Sequence, residues 1–377
     1  MVSEMDVQVI PANSSAPQIL EIGQVPRMHY AYPNTTEFFS TYVMDSERSR
    51  PPGSELVSAR TLVQLAKRLS EPGLDLVVVH ASPHGSLEGL VRTVFRRSAL
   101  HGHVPMFRGL AQHLPRRGTV APLAVLDLHD SPSILPCNLH LLRRATLYFK
   151  RELPPDRWQL LMRNGKSPTL RYRKLAHHRS ALSRIRPLSL GLPENMLARG
   201  APRLSPAGKD IDVFFAGQRT WSSTVRERGV EELTRLRAEG LRIDIQEGNL
   251  SPNEYLARCA RAWLVWSPQG YGWDCFRPYE AAFAGSVPLI SRQTIERHAP
   301  LIDGEHAVYY DVEPGELTLA VRRTLNDRDR LVDMAQTAQS YILQHHTPHA
   351  LARHVVETTL AAASRSDLAM QPSTVRG

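Results

Sequence analysis

The residues best suited to chemistry form one segment in the second half of the chain, residues 263–291, which reads WLVWSPQGYGWDCFRPYEAAFAGSVPLIS. Its pattern predicts a buried strand, a glycine-containing loop, a short helix and a second strand. In open α/β sheets, ligands bind outside the carboxyl ends of the strands, where helix N-termini attract phosphate. Gly270 and Gly272 let the loop backbone approach a ligand and present N–H groups to it. The segment therefore predicts a phosphate-binding loop.

The short helix of this segment carries two charged side chains near its start. Pro278 fits only in the first turn of a helix, so the helix begins just before it, and Gly285 ends it. Arg277 then lies at the mouth of the helix, where a guanidinium can form two bonds with a diphosphate. Glu280 lies one turn further in, where a carboxylate can accept from both hydroxyls of a ribose. The same spacing also fits a tight Gly-Tyr-Gly turn beside a surface ion pair of Arg277 and Glu280, and spacing alone leaves both interpretations open.

The surrounding sequence predicts an α/β chain. Continuous apolar runs of strand length alternate with segments of helical periodicity, which is typical of parallel sheets covered on both faces. The predicted strands are 74–80, 121–130 and 145–153 in the first half and 211–217, 241–248, 263–267, 286–291 and 306–312 in the second. The predicted helices are 54–69, 224–239, 251–262, 276–285 and 316–325. A Pro/Gly-rich polar segment at 200–210 predicts a domain boundary.

Length and composition are those of a globular protein with two domains. The chain has 377 residues, of which 42% are hydrophobic and 22% charged, which excludes a disordered chain. No apolar run approaches the roughly 18 residues of a membrane span, and the N-terminus lacks the features of a secretory signal. Cys137, Cys259 and Cys275 are far apart, which argues against a disulfide framework and a zinc site. We therefore expect a cytoplasmic protein without a transmembrane segment.

The net charge of +9 fits several partners. A nucleic acid, an anionic membrane surface or a phosphorylated ligand would suit it, and so would the arginine-rich composition of proteins from GC-rich genomes. Basic residues concentrate at 163–186, but Tyr172 is the only aromatic residue there, and base stacking needs aromatic rings. Nucleic-acid binding is thus kept as the alternative of another class, while we expect no nucleic acid as a partner.

The segment at 263–291 resembles the donor-binding segment of GT-B glycosyltransferases in the exostosin-like and CgeB-like group. The pattern of that group runs S-P-x-G-Y-G, a short polar gap, F-R-x-Y-E-A, a glycine and a strand that begins with Val/Ile-Pro. The matching residues here are Ser267, Pro268, Gly270, Tyr271, Gly272, Phe276, Arg277, Tyr279, Glu280, Ala281, Gly285 and Pro288. The resemblance covers about residues 121–360, including LDLHDSP and LYFKREL in the first half. It implies two Rossmann-like domains whose parallel sheets face a central cleft.

The resemblance also implies roles at the donor site. Glu280 would hold the ribose of a nucleotide-sugar, and Arg277 with the loop amides would hold its diphosphate. Gly217, followed by Gln218 and Arg219, would close over the donor. The donor-binding residues predicted in this way are Gly217, Arg219, Ser267, Gly270, Tyr271, Gly272, Arg277 and Glu280. Many related enzymes carry a sugar-contacting glutamate where this chain has Gly272, so the sugar and the stereochemical outcome are not carried over.

Candidate general bases follow strands predicted in the N-terminal domain. Glycosyl transfer needs charge stabilised on the departing diphosphate and, for inversion, a base for the acceptor hydroxyl. The predicted bases are Asp130, His80 and His84, with Asp127 and His129 as further strand-end residues. His80 also fits as the cap of its strand, and Asp130 as the cap of the turn that follows.

Charge on the diphosphate is predicted to be stabilised by Arg219 and Arg277 instead of a metal, because no D-x-D flanked by apolar strands is present. Lys150 and Arg151, at the end of the third strand, would face the substrate phosphates or form a solvated edge.

Four late histidines, His345, His346, His349 and His354, do not have metal-site spacing. Only His345 and His349 are four residues apart, and Pro348 interrupts the helix between them. By the resemblance, the chain crosses back here to brace the N-terminal domain. The predicted division is an N-terminal acceptor-side domain at 1–199, a C-terminal nucleotide-sugar-binding domain at 200–347, a bracing helix at 348–363 and a flexible tail at 364–377.

The sequence thus predicts a glycosyltransferase of bacterial type, hexosyl-transferring or related, that moves a sugar from a nucleotide-diphosphate donor to an acceptor hydroxyl or similar nucleophile. The nucleotide-sugar would be its co-substrate, with no other cofactor and no metal. A nucleotide-sugar epimerase and a catalytically inactive GT-B nucleotide-binding protein share the implied fold and stay open. The donor base and sugar, the acceptor and the oligomeric state are not written in the sequence.

Overall fold

The computed structural model describes residues 16–41, 54–81, 111, 121–163, 167–168, 178–202, 206–218, 224–246 and 248–370. These residues form two larger parallel sheets with helices packed against them, as the alternating apolar runs predict. The fold is α/β with two Rossmann-like domains. No helix among the described residues is long and apolar enough to cross a bilayer.

The N-terminal sheet has seven strands. In chain order these are β1 (Ile19–Gly23), β2 (Thr36–Ser40), β3 (Glu55–Leu56), β4 (Leu76–His80), β5 (Leu123–Asp127), β6 (Leu147–Lys150) and β9 (Ile185–Pro187), while β7 (Met162–Arg163) and β8 (Ser167–Pro168) form a separate antiparallel pair. The seven lie side by side in the order β3-β2-β1-β4-β5-β6-β9, and every neighbouring pair is parallel. Every residue of β1, β4 and β5 is buried, as expected for central strands of a covered parallel sheet.

The C-terminal sheet has five parallel strands. These are β10 (Ile211–Ala216), β11 (Ile243–Gln246), β12 (Ala262–Ser267), β13 (Val287–Ser291) and β14 (Val308–Tyr310), in the order β11-β10-β12-β13-β14. The chain leaves the first sheet at Pro187 and enters the second at Ile211, on either side of the predicted boundary.

Ten helices occur among the described residues. They are α1 (Ala59–Arg68), α2 (Leu139–Arg144), α3 (Arg179–Leu182), α4 (Glu194–Leu197), α5 (Thr224–Ala238), α6 (Pro252–Arg261), α7 (Arg277–Phe283), α8 (Glu316–Leu325), α9 (Arg328–His345) and α10 (Pro348–Met370). Local signals fix the start of α6 and the end of α7. Ser251 and Glu254 form a capping box at the start of α6, and Gly285 follows the end of α7 with a φ of 77°.

Three strands, β1, β2 and β3, were missed in the first 70 residues, where we predicted only one helix. β1 is a central strand, but its five residues, ILEIG, are interrupted by Glu21 and do not form a continuous apolar run. The predicted helix at 54–69 begins only at Ala59, because residues 55–56 pair with β2 as β3.

The last helix, α10, packs against the N-terminal sheet. Leu351, Ala352, Val355 and Val356 share an apolar cluster with buried residues of β1, β4, β5 and β6. The helix continues to Met370, whereas we predicted that it ends at 363 and that a tail follows. Residues 364–370, SRSDLAM, contain no Pro or Gly that would stop it.

Candidate functional site

Two arginines approach each other at the carboxyl ends of β10 and β12. Arg226, in the first turn of α5, donates from Nε to the Gln269 carbonyl (3.0 Å) and from Nη1 to the Gln218 carbonyl (3.2 Å), so it joins the loops that follow the two strands. The guanidinium of Arg277 lies over the Phe215 ring, 5.2 Å from the ring centroid. Burial and the charge of Arg277 both lower the pKa of Arg226. This pair of cations favours an anion beside it.

Two glycines make room for these arginines. A β-carbon at Gly217 would lie 3.0 Å from Nη2 of Arg277, and a β-carbon at Gly270 would lie 2.7 Å from Nη2 of Arg226. The Gly270 N–H donates to the Gly272 carbonyl (3.1 Å), so it closes the loop and does not point to a ligand, contrary to our prediction. A side chain at position 270 would therefore displace the Arg226 guanidinium from its present place.

Glu280 lies in the first turn of α7 and is 9% exposed, so it does not form the surface ion pair that spacing alone allowed. Burial raises the pKa of Glu280, while the Tyr255 hydroxyl and the Arg277 charge act in the opposite direction. A carboxylate has lone pairs for about four hydrogen bonds, so Glu280 retains the capacity to accept from hydroxyl groups of a ligand.

The other predicted donor residues differ in their surroundings. Tyr271 is 71% exposed, whereas Ser267 is buried and donates its hydroxyl to the Val265 carbonyl (3.3 Å). Within residues 269–274, which the structure describes, the N–H groups of Tyr271 and Gly272 meet no acceptor, so these two amides can still reach a ligand. Arg219 lies outside the described residues.

The donor loop, which we define as residues 267–276, also touches the N-terminal domain. Glu152, two residues after β6, accepts the N–H groups of Trp273 (2.9 Å) and Asp274 (3.0 Å). A β-carbon at Gly272 would lie 2.5 Å from Oε1 of Glu152. The Glu152 carboxylate, from the other domain, thus occupies the space that a side chain at position 272 would take.

In the N-terminal domain, His80 has a buried carboxylate partner. Its Nε2 lies 2.8 Å from Oε1 of Glu21, which is fully buried on β1. Glu21 also accepts the N–H groups of Arg27 (2.9 Å) and Met28 (3.1 Å). Because a carboxylate only accepts, Nε2 of His80 is the donor in this contact. The His80 ring covers Gly23, whose β-carbon would lie 2.5 Å from the ring.

Asp127 and Lys150 form a buried ion pair (3.0 Å), and Asp127 also accepts from the Tyr148 hydroxyl (2.7 Å). The two residues are opposite each other on β5 and β6, and their side chains are at most 1% exposed. Our predictions that Asp127 faces the cleft and that Lys150 faces phosphates or solvent are therefore wrong, because each charge neutralises the other inside the sheet. His129 lies beyond this pair, and its N–H donates to Asp127 (3.3 Å).

Asp130, the other predicted base at this strand end, is an exposed residue that pairs with Arg151. Arg151 donates at the same time to the Asp274 carbonyl in the other domain, so Asp130 supports an interdomain contact. The remaining predicted base, His84, lies outside the described residues.

The late histidines lie where α10 returns to the N-terminal domain. His346 is 1% exposed; its Nε2 donates to the Ala299 carbonyl (2.8 Å), and its Nδ1 lies 3.0 Å from the Ser189 hydroxyl. The ring of His354 stacks on His298 at a centroid distance of 3.8 Å. Burial, as the largest cause, lowers the pKa of His298 and His346 to about 3 and that of His354 to about 4. No group of three or more potential metal ligands occurs in the described part of the chain.

Three charged residues of this site escaped the sequence analysis. Glu21 carried a usable signal, since it is a lone acid within the apolar strand ILEIG. Glu152 lies in LYFKREL, a segment of the resemblance, but nothing there distinguished it from the charged residues beside it. Arg226 carried no signal, because its neighbours in RERGVEE are charged as well.

No family model matches the chain, and no curated protein sequence is similar to it. Solved structures match its fold. Anabaena HepE in complex with UDP is 15% identical, with 91% of this chain and all of that chain covered and a TM-score of 0.53. α,α-Trehalose 6-phosphate synthase from Burkholderia multivorans is 9% identical over 95% of this chain and 99% of that chain, with a TM-score of 0.56. Sucrose-phosphate synthase from Thermosynechococcus elongatus is 13% identical over 93% and 99%, with a TM-score of 0.51.

These similarities establish the fold. The two parallel-sheet domains of this chain have the GT-B architecture, as the resemblance of residues 263–291 implied.

Proposed function

We propose that this protein is a glycosyltransferase whose C-terminal domain binds a nucleotide-diphosphate sugar. The observation that carries the proposal is the convergence of Arg226, Arg277 and Glu280 beside the ends of β10 and β12. Two guanidinium groups supply the charge and paired donors that suit a diphosphate, and a buried carboxylate beside them suits ribose hydroxyls. The similar HepE structure was determined with UDP, which makes a uridine nucleotide the first donor to test.

The same arginines would stabilise the leaving group. Transfer breaks the bond between the anomeric carbon and a diphosphate oxygen, so negative charge develops on the departing diphosphate. Arg226 and Arg277 provide positive charge at this edge before the reaction begins, which is the arrangement that lowers such a barrier. We therefore propose transfer without a metal. The sequence pattern supports an assignment to the exostosin-like and CgeB-like group, and the separate cysteines support a cytoplasmic location.

For transfer with inversion, we propose His80 as the general base. Its imidazole would take the proton of the acceptor hydroxyl while the hydroxyl oxygen bonds to the anomeric carbon and the diphosphate leaves, and Glu21 would stabilise the imidazolium that forms. Asp130 is less suitable because it pairs with Arg151.

Thermal unfolding with UDP, GDP, dTDP and their sugar conjugates tests the donor site. A nucleotide that binds only the folded state adds about 2.7 kcal/mol at a hundredfold excess over its Kd. We expect one base to raise the Tm of the wild type, and Glu280→Ala and Arg226→Ala to lose that increase. Arg242→Ala is the matched control, since Arg242 pairs with Asp212 at the amino end of β11.

The result also separates the alternatives. A shift with DNA or RNA but with no nucleotide would refute the proposal and favour the basic stretch at 163–186 as a nucleic-acid site. A protein that binds the donor and converts its sugar with no acceptor present would be an epimerase, because a glycosyltransferase consumes its donor fully only when an acceptor is supplied. A protein that binds the donor but leaves it unchanged with every acceptor would be an inactive relative.

A further inference from the structure

The donor loop is held from both domains. Within the C-terminal domain, the Gln269 N–H donates to the Ser291 hydroxyl (3.1 Å), and the Asp274 carboxylate accepts from the Tyr279 hydroxyl (2.7 Å). These contacts fix the two ends of the loop. Its middle, around Gly272, is held from the N-terminal domain by Glu152.

Both oxygens of Glu152 serve this contact. Oε2 accepts from Trp273 and Oε1 accepts from Asp274, and Glu152 is only 1% exposed. Burying a carboxylate is costly unless its oxygens accept hydrogen bonds, so this interdomain contact is favourable only when residues 272–274 have the observed shape. Conversely, moving the domains apart would deprive two loop amides of their acceptor.

Neighbouring residues strengthen the link at Asp274. Arg151 donates to its carbonyl, and the Leu190 N–H, from the segment that joins the domains, donates to its Oδ2 (2.7 Å). The Glu296 N–H donates to the Leu153 carbonyl (2.7 Å) on the other side of Glu152. Three consecutive residues of the N-terminal domain, 151–153, therefore contact the C-terminal domain at and beside the donor loop.

We propose that Glu152 is a positioning residue of the donor site. It holds residues 271–274 in the shape that leaves the Tyr271 and Gly272 N–H groups open to the donor, and it does so only while the two domains are in contact. Donor binding and the relative position of the domains are thus coupled through one carboxylate. This inference rests on the proposed donor site, but the state of the loop can be measured without any ligand.

Hydrogen exchange of the full chain, without ligand, tests the first step. We expect Glu152→Ala to speed exchange of the Trp273 and Asp274 amides at least about tenfold, the effect of losing one or two hydrogen bonds, while the amides of α6 keep their rates. Glu296→Gln is the control, because the Glu296 side chain pairs with Arg157 across the same interface (2.7 Å) instead of accepting from a loop amide. Unchanged exchange of both amides in Glu152→Ala overturns the proposal.

Nucleotide affinity tests the second step, with whichever of UDP, GDP or dTDP the wild type binds. We expect Glu152→Ala to weaken binding about tenfold and Glu152→Gln to weaken it less, because an amide keeps one accepting oxygen. Glu152→Gln also serves if the alanine variant does not fold. Full affinity in both variants overturns the proposal. If the wild type binds no nucleotide, the proposed donor site itself is refuted, and the hydrogen-exchange measurement alone then decides whether Glu152 holds the loop.

Gly272→Ala supplies a double-mutant cycle. Its β-carbon would meet Oε1 of Glu152 at 2.5 Å, so we expect this substitution to weaken nucleotide binding in the wild type and to add little once Glu152 is alanine. Additive losses would show that position 272 acts independently of Glu152 and would contradict the coupling.

Discussion

Three histidines near the junction of α9 and α10, one buried and two partly buried, predict how stability responds to acid. His346 has a folded-state pKa of about 3 against an ordinary value of 6.5, because burial disfavours its charged form. The hydrogen bond to the Ala299 carbonyl acts in the opposite direction, but burial is the larger cause. Below pH 6.5 the unfolded chain therefore binds a proton that the folded chain does not, and stability falls as the pH falls through this window.

The magnitude follows from the unfolded value alone. At pH 5 the folded ring is still neutral, and each pH unit below 6.5 is equivalent to about 1.4 kcal/mol, so His346 removes about 2 kcal/mol between pH 8 and pH 5. His298 and His354, with pKa values lowered to about 3 and about 4, each remove a similar amount. The three histidines together therefore lower the free energy of unfolding by about 6 kcal/mol, which is as large as the total stability of many ordinary proteins.

Urea unfolding at pH 8 and pH 5 measures this loss directly. We expect His346→Gln to lose about 2 kcal/mol less than the wild type between the two pH values, whatever its stability at pH 8. His349→Gln, at an exposed position three residues further on, is the matched control and should follow the wild type. An equal loss in the wild type and His346→Gln would refute the reasoning, since it would mean that the His346 ring is protonated in the folded protein at pH 5.

Three other substitutions have expected effects on the free energy of unfolding, measured by urea denaturation. Gly229→Ala should destabilise by about 1–3 kcal/mol, because its β-carbon would meet the Trp266 ring at 2.1 Å, and an unchanged value would show that α5 can move away at no cost. Lys150→Met should cost about 3–5 kcal/mol by leaving Asp127 buried without its cation, and adding Asp127→Asn should restore much of the loss. No recovery in that double variant would contradict the ion-pair explanation. Ser251→Ala should cost about 1 kcal/mol through loss of the capping box, and an effect below the error of the measurement would show that α6 does not depend on its cap.

Much of the C-terminal domain could be predicted because its signals are local. β12, α7 and β13 lie within a residue or two of their predicted bounds, since an apolar run, Pro278 and Gly285 act on their own segments. The motif at 263–291 likewise placed Arg277 and Glu280 correctly on the first turn of α7. In contrast, β1 escaped prediction although it is central, because a short strand with a buried acid has no clear apolar pattern.

The partners of the charged residues could not be predicted from the sequence. Asp127 and Lys150 looked like strand-end residues of a cleft, and only the register of β5 and β6 places them side by side in the interior. His80 and Glu21 are 59 residues apart, and adjacent parallel strands bring them together.

The sequence by itself determined the two α/β halves, the start of α6, the end of α7 and the residue types of the donor segment, because chain stiffness, capping and apolar periodicity act over a few residues. Only the tertiary structure shows which side chains occupy the space beside Gly270 and Gly272 and which charged residues pair with each other. Gly270 makes room for Arg226, and Gly272 makes room for Glu152 from the other domain. Both contacts come from residues that are distant in sequence. The order of the strands and the contact between the domains bring them beside the backbone, and the residues next to each glycine in the sequence do not.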